Sequence, residues 1–203
     1  MLRVSILVAL VALALPVAAQ ESPAARALSG EDRRLLEGGE TIVEVTTEGR
    51  SNRAELVSLI TGEPGDVFAV IADFESYETW VDDQAESVVL ERDGDTWLLQ
   101  GETNVPVFPN RHYRLRDTRS ERVVNGETVY VDEWELVEEY GNMDENTGFW
   151  WVQRYDAQRT IVRMVLFADL GMPLPQSIIN WGTRRALPNL ADGIQEQHDL
   201  RNP

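Results

Sequence analysis

Residues 127–139 read ETVYVDEWELVEE, and this stretch decides the fold. In an extended chain Tyr130, Asp132, Trp134 and Leu136 point to one side, and glutamates and valines share the other. A period of two, with one bulky face and one wetter face, predicts a β-strand in an antiparallel sheet.

The same alternation extends in both directions, from residue 86 to residue 168. Turn sequences interrupt it at Asp93-Gly94, at Asn125-Gly126 and between residues 142 and 148. The pattern therefore predicts six consecutive antiparallel strands. They are expected near residues 86–92, 95–104, 111–121, 127–139, 147–155 and 159–168.

Two further β-rich runs precede these strands, at residues 41–47 and 54–61. A helix is expected to start at Pro64, where a missing N–H costs nothing, and a short helical turn follows near residues 74–80. An earlier short helix should begin after Ser29, with Asp32 completing its cap, and end at Gly38-Gly39.

Residues 169–173 break the last strand, and a long terminal helix is expected after them. Its apolar positions are Ile179, Ala186, Leu187, Leu190 and Ile194, and Pro188 should kink it. Six strands in sequence flanked by helices predict an α+β fold in which one long helix covers the concave face of the sheet.

Composition excludes several classes of function. The chain has 203 residues, 35 acidic against 18 basic side chains, a net charge of -17 and no cysteine. Every basic residue is Arg, so a P-loop lysine, a Schiff-base lysine and a Ser-Lys pair are impossible. The negative charge argues against nucleic-acid binding and discourages docking on anionic lipid headgroups.

Residues 1–19 combine an early Arg3, an apolar run from Val4 to Leu15 and small residues up to Ala19. This pattern predicts a cleaved signal peptide, and hence an exported, periplasmic or extracellular protein; the alternative is an uncleaved anchor. We expect residues 20–40 to be a lead-in segment with the short helix and residues 41–199 to be one domain.

The parity of the strands predicts which side chains face the terminal helix. Val162, Met164 and Leu166 share the inner face of the last strand, and Trp97 shares a face with Leu99. The strand near 147–155 is aromatic on both sides, so its inner face is ambiguous. These bulky residues form either a solid core or the lining of an apolar cavity, and periodicity does not separate the two.

Three segments, 63–77, 105–116 and 169–181, resemble in order the START-like, helix-grip (SRPBCC) superfamily, which includes steroidogenic lipid-transfer domains, polyketide cyclases and plant Bet v 1-type proteins. The resemblance implies a seven-stranded antiparallel sheet wrapped around a long C-terminal helix. It also implies an internal cavity for a sterol, phospholipid, isoprenoid or similar ligand, here in a secreted START-domain protein. The sequence departs from the family in lacking Pro within 77–81 and in keeping a single Gly171 after Asp169.

On this resemblance the cavity should be lined by side chains of the sheet and the terminal helix, with the helix and residues 104–110 as the gate. The predicted lining is Trp97, Leu99, Arg111, Tyr113, Trp134, Phe149 (or Trp150), Trp151, Met164, Leu166, Ile178 and Trp181.

Arg111 is the strongest polar candidate, because it shares parity with Tyr113 and a buried guanidinium needs an acidic or anionic partner. Asp132 and Asp73 are the candidate partners, and a rim salt bridge is the alternative. His112 should point outward, and no spacing of histidines suits a metal. Residues 142–148 resemble an acidic calcium loop, although a solvated hairpin turn explains them better.

These features favour a monomer that binds and transfers a hydrophobic ligand without catalysis or cofactors, does not bind nucleic acid and touches membranes transiently. A cyclase-like enzyme that uses Arg111 with Asp132 is the alternative. A ligandless interaction domain with a solid aromatic core is a third possibility.

Overall fold

The structure is a computed structural model that describes residues 28–105 and 108–203. Residues 1–19, with the expected signal peptide, lie outside the described residues. The elements of the described chain, in order, are α1 (Gly30–Glu37), β1 (Ile42–Glu48), β2 (Ser51–Thr61), α2 (Pro64–Ile71), a 3-10 helix (Phe74–Thr79), β3 (Gln84–Asp93), β4 (Thr96–Thr103), β5 (Arg111–Val124), β6 (Glu127–Gly141), β7 (Glu145–Arg154), β8 (Arg159–Asp169) and α3 (Gln176–Arg201).

All strands of the described chain form one antiparallel sheet in the order β1-β2-β8-β7-β6-β5-β4-β3. Strands β3 to β8 are a meander of six, as the alternation predicts, and β1 and β2 join its β8 edge. The sheet therefore has eight strands rather than the seven that the family resemblance implies, because β1 pairs with β2 along its whole length and adds an edge strand. The Asn125-Gly126 turn has positive φ at both residues, as a two-residue hairpin of this type requires.

The sheet is curved. The β5–β6 ladder shifts register between Tyr113 and Leu115, and the β3–β4 ladder shifts twice, between Gln84 and Glu86 and between Val89 and Glu91. Register shifts of this kind bend a strand and increase its twist. The result is the predicted helix-grip architecture, in which the open sheet curves toward the C-terminal helix.

The inner face of the sheet, on the side of α2 and α3, carries two apolar clusters. The first, which we call the α3 core, joins Val162 and Met164 of β8 to Leu187 and Ile194 of α3. The second, the β4–β5 core, is built on Phe74, Leu99, Tyr113 and Leu115. The parity predictions for β4, β5 and β8 are confirmed by these clusters.

Strand β7 resolves the ambiguity that its sequence leaves open. Trp150 and Val152 belong to the α3 core on the inner face. Phe149 and Trp151 pack on the outer face with Val129 and Val131. Antiparallel pairing of Trp150 with Met164 sets this choice, since paired residues point to the same side of a sheet.

Helix α1 covers part of the outer face. Its cap is the predicted one: Asp32 N donates to Ser29 Oγ at 3.0 Å, and Ser29 N donates to Asp32 Oδ2 at 2.8 Å. Leu36 then packs against Val57 and Ile161, on the side opposite to α3.

Helix α3 divides at Pro188 into two unlike halves. In the second half, residues 187–201, Leu187, Ala191, Ile194 and His198 are buried. In the first half, residues 176–186, no side chain is buried. Among the described residues, no helix combines the length and the apolarity needed to cross a membrane.

Candidate ligand-binding site

Two aromatic rings lie along the inner face of the sheet instead of standing up toward α3. A Cβ atom on Gly101 would lie 2.5 Å from Cζ of Tyr113, and one on Gly148 would lie 2.5 Å from Cζ2 of Trp134. Each ring therefore crosses a glycine of the neighbouring strand. This arrangement places each ring flat against the neighbouring strand.

Hydrogen bonds made by their polar atoms hold these two rings in place. The hydroxyl of Tyr113 donates to Oε1 of Gln84 at 3.0 Å, and Nε1 of Trp134 donates to Oδ1 of Asn146 at 3.0 Å. Trp134 contacts both apolar clusters, so it lies where the α3 core meets the β4–β5 core. The floor of the site is thus largely aromatic, and the polar atoms of these two rings are hydrogen-bonded.

A polar cluster interrupts this floor, formed by Asp117, Arg119 and Asp132, which we call the Asp-Arg-Asp cluster. Asp117 and Asp132 are both buried. Nε of Arg119 donates to Oδ1 of Asp117 at 3.0 Å and lies 3.6 Å from Oδ2 of Asp132. The guanidinium also stacks on the ring of Trp97 at 3.7 Å. These contacts leave the cluster rigid and shielded from solvent.

Asp132 is the unusual member of the cluster. Its Oδ1 atom is buried and has no hydrogen-bond partner among the described residues. Burial raises the pKa of Asp132 well above its usual range, and the hydrogen-bonded, like-charged Asp117 raises that pKa further. When Asp132 is protonated, the charges of Asp117 and Arg119 balance, and the cluster carries no net charge.

The 3-10 helix brings Tyr77 close to this cluster. The hydroxyl of Tyr77 donates to the carbonyl oxygen of Ile71 at 2.6 Å, and its ring packs 5.4 Å from Phe74 and 5.1 Å from Trp80. Burial raises the pKa of Tyr77, and the nearby charge of Asp132 raises it further. Tyr77 therefore stays neutral, and its hydroxyl proton is already donated to the backbone of Ile71.

Arg111 does not have the acidic partner that its sequence position suggests. Its guanidinium is buried and donates to the carbonyl oxygens of Pro109 at 2.8 and 3.1 Å, Asn142 at 3.3 Å and Leu170 at 3.1 Å. Asp132 belongs to the Asp-Arg-Asp cluster, and Asp73 binds Arg201. The expectation of an Arg111–Asp132 or Arg111–Asp73 pair is wrong. Three loop carbonyls satisfy this cation, so Arg111 ties together the loops at one end of the sheet.

The remaining predicted site residues occupy three places. Trp97, Leu99, Tyr113, Trp134, Met164 and Leu166 lie on the inner face. Phe149 and Trp151 lie on the outer face, so they do not line a space under α3. Ile178 and Trp181 are 41% and 61% exposed on the first half of α3.

His112 points outward, as its parity predicts, with Nδ1 3.3 Å from Oε2 of Glu102. Residues 142–144 join β6 to β7 as a hairpin turn. In residues 28–105 and 108–203 no group of three or more His, Cys, Asp or Glu side chains could hold a metal ion.

Sequence reasoning did not identify Asp117 and Arg119. The signal was present, because both share parity with Tyr113 and Leu115 on β5, and Asp132 shares parity with Trp134 on β6. Charged residues that alternate in register with core aromatics on two adjacent strands indicate a buried polar cluster. Only the pairing of Arg119 opposite Asp132 brings the three together.

Comparison with solved structures supports the same architecture. Human StAR-related lipid transfer protein 5 aligns with a TM-score of 0.65 at 12% identity, covering 85% of this chain and 94% of that one. The Zhui aromatase/cyclase from Streptomyces sp. R1128 gives 0.60 at 14% identity, with 75% and 96% covered. The STAR-related lipid transfer protein from Xanthomonas axonopodis gives 0.57 at 17% identity, with 74% and 98% covered. At these identities the similarity shows the fold alone.

No curated protein matches the sequence. The family described as polyketide cyclase / dehydrase and lipid transport matches residues 60–195, from the end of β2 to the second half of α3. This match spans the inner-face residues, the Asp-Arg-Asp cluster and most of α3. The chain therefore belongs to the polyketide cyclase / dehydrase and lipid transport family, within the START-like superfamily.

Proposed function

We propose that this protein binds an uncharged hydrophobic ligand carrying one hydroxyl or carbonyl group, between the inner face of the sheet and α3, and carries it without changing it. The observation that supports this proposal most strongly is the partnerless Oδ1 of Asp132 in a largely aromatic floor. Family membership makes a ligand-binding role the natural starting point.

Energetics favour a ligand of this kind. A buried polar atom without a partner costs about 1–3 kcal/mol, and a ligand hydroxyl that donates to Oδ1 of Asp132 would remove this cost. An apolar tail beside Trp97, Trp134 and Leu166 gains roughly 0.8 kcal/mol for each methylene removed from water. A charged headgroup would gain nothing comparable, because Asp117 and Arg119 already neutralise each other.

Under this proposal the ligand contacts the inner-face members of the predicted lining. These are Trp97, Leu99, Tyr113, Trp134, Met164 and Leu166. Arg111 contributes by holding the loops at one end of the sheet. We propose further that the protein acts as a monomer. We also propose that it is exported, as the pattern of residues 1–19 predicts.

A pair of matched probes tests the polar contact. Binding of a long-chain alcohol and of the alkane of equal length would be compared for the wild type, Asp132→Leu and Glu135→Gln. Glu135 is an exposed acid on the same strand and serves as the control. We expect the wild type and Glu135→Gln to prefer the alcohol by roughly tenfold, and Asp132→Leu to lose that preference. Equal binding of both probes to the wild type would contradict the proposal.

One observation favours an enzyme as the second candidate. A carboxyl group whose pKa is raised well above its usual range, beside an arginine, is an arrangement that can donate a proton to a bound carbonyl. The two functions differ in what the purified protein retains. If Asp132 acts as an acid, the ligand extracted from Asp132→Asn will be unreacted substrate and will differ in structure from the ligand extracted from the wild type, as chromatography with tandem mass spectrometry would show. A carrier returns the same ligand from both.

A further inference from the structure

The first half of α3 exposes large apolar side chains that nothing in the described chain covers. Trp181 is 61% exposed and Ile178 is 41% exposed. They lie three residues apart, on one face of the helix. Trp is enriched at boundaries between water and an apolar phase, because its ring is apolar and its N–H group is polar.

Positive charge accompanies these side chains. Arg184 and Arg185 are exposed, and neither forms an ion pair with another described residue. The guanidinium of Arg185 lies 5.8 Å from the centre of the Trp181 ring. Residues 170–191 contain no Asp or Glu, in a chain with 35 acids. The charge that discourages contact with anionic headgroups is thus absent from this segment.

The segment is also anchored at its beginning. The carbonyl oxygen of Leu170 accepts from Nη1 of Arg111 at 3.1 Å, so the loop that leads into α3 is tied to β5 and to the β6–β7 turn. The loop that precedes the exposed face is therefore fixed to the sheet.

We propose that Ile178, Trp181, Arg184 and Arg185 form a docking surface for an anionic lipid bilayer, with Trp181 and Ile178 inserted among the headgroups and the two arginines on the lipid phosphates. Charge complementarity selects this partner, because the segment without acids is the part of a strongly acidic protein that an anionic surface attracts. The inference is independent of the proposed ligand, since it needs no contact with the inner face.

Flotation with vesicles tests the surface directly. The full chain would be mixed with phosphatidylcholine vesicles with and without phosphatidylglycerol, and the bound fraction measured for wild type, Trp181→Ala and an Arg184→Gln/Arg185→Gln double variant. Leu200→Ala is the matched control, because Leu200 is 67% exposed on the same helix but lies beside Asp199 and Glu196.

We expect the wild type to float with phosphatidylglycerol vesicles and Trp181→Ala to bind roughly tenfold more weakly. The double arginine variant should fall to the level seen with pure phosphatidylcholine, and Leu200→Ala should match the wild type. Shallow brominated lipids should quench the fluorescence of the wild type and not that of Trp181→Phe.

Absence of flotation by the wild type, or an equal loss in Leu200→Ala, would overturn the proposal. Binding of a protein partner through Trp181 with no vesicle binding would overturn it as well. Native mass spectrometry on the same variants separates this result from the ligand proposal, because Trp181→Ala should retain bound ligand at the wild-type level.

Discussion

The two halves of α3 belong to one continuous helix and yet have opposite environments. The second half buries Leu187, Ala191 and Ile194 in the α3 core, and Gln195 exchanges hydrogen bonds with the backbone of Thr61. The first half buries nothing, and Gln176 links it to Asn52 on β2 at 3.0 Å. The difference shows that packing against the sheet, and not helix formation as such, anchors this element.

Pro188 lies where the two halves meet. It cannot donate to the carbonyl oxygen of Arg184, so the helical hydrogen-bond ladder is weakest between the anchored half and the exposed half. The first half can therefore shift with respect to the sheet at a lower cost than the second half can.

The largest expected effect comes from truncating the same residue type in each half. Ile194→Ala should destabilise the protein by about 2–5 kcal/mol, because Ile194 is fully buried. Ile178→Ala should change stability by less than about 0.5 kcal/mol, because Ile178 is exposed. Urea denaturation of both variants measures the contrast, and equal losses would show that the halves are not different in packing.

A second pair uses two glycines of α3. Gly193→Ala should destabilise by about 1–3 kcal/mol, since the new Cβ would lie 2.8 Å from Cε3 of Trp80, a ring held by a hydrogen bond to Ser76. Gly182→Ala has open space and should stabilise by about 0.5–1 kcal/mol through helix propensity. Thermal denaturation of the pair should give shifts of opposite sign; shifts of the same sign would contradict the comparison.

The contribution of the Asp-Arg-Asp cluster to stability should depend on pH, unlike that of the apolar second half of α3. The raised pKa of Asp132 means that the folded chain holds a proton that the unfolded chain releases above its ordinary pKa near 3.8. Stability from this group is therefore present at low pH and is lost as pH rises toward the folded pKa. Relative to the wild type, the free energy of unfolding of Asp132→Asn should rise by up to about 1.4 kcal/mol per pH unit over that window.

Urea titrations from acidic to neutral pH provide the measurement, with Glu135→Gln as the exposed control. Parallel curves for the wild type and Asp132→Asn would mean that the pKa of Asp132 is the same in the folded and the unfolded chain.

The smallest expected effect concerns the end of the anchored half. Nη2 of Arg201 donates to Oδ2 of Asp73 at 2.8 Å, but both side chains are about a third or more exposed. Asp73→Asn should therefore cost less than about 1 kcal/mol, and salt should reduce the loss. A loss comparable to that of Ile194→Ala would show that ion pairing, rather than apolar packing, anchors α3.

Alternation along the strands was sufficient to predict the order of the elements and the inner faces of β4, β5 and β8. It did not decide β7, because aromatic residues occupy both of its faces and the choice depends on pairing with β8. The family resemblance placed Ile178 and Trp181 inside, since an apolar residue on a covering helix is ordinarily buried. Their exposure follows from the position of the helix, which no local pattern encodes.

The candidate site was less predictable than the fold. Arg111 was expected to need an acid, but the carbonyl oxygens of Asn142 and Leu170, from two loops distant in sequence, join that of the nearby Pro109. Asp117, Arg119 and Asp132 come together through the register of β5 and β6. Both are tertiary arrangements, so single-sequence reasoning identifies their members at best and not their partners.

The flat rings of Tyr113 and Trp134 have a consequence for redesign. Each ring lies in a shallow recess that exists because the residue beneath it, Gly101 or Gly148, has no side chain. A larger residue at either position would push the ring away from the sheet and leave less room for a ligand on the inner face. The size of ligand that the protein accepts could therefore be altered by substituting Gly101 or Gly148, although the ligand would contact neither residue.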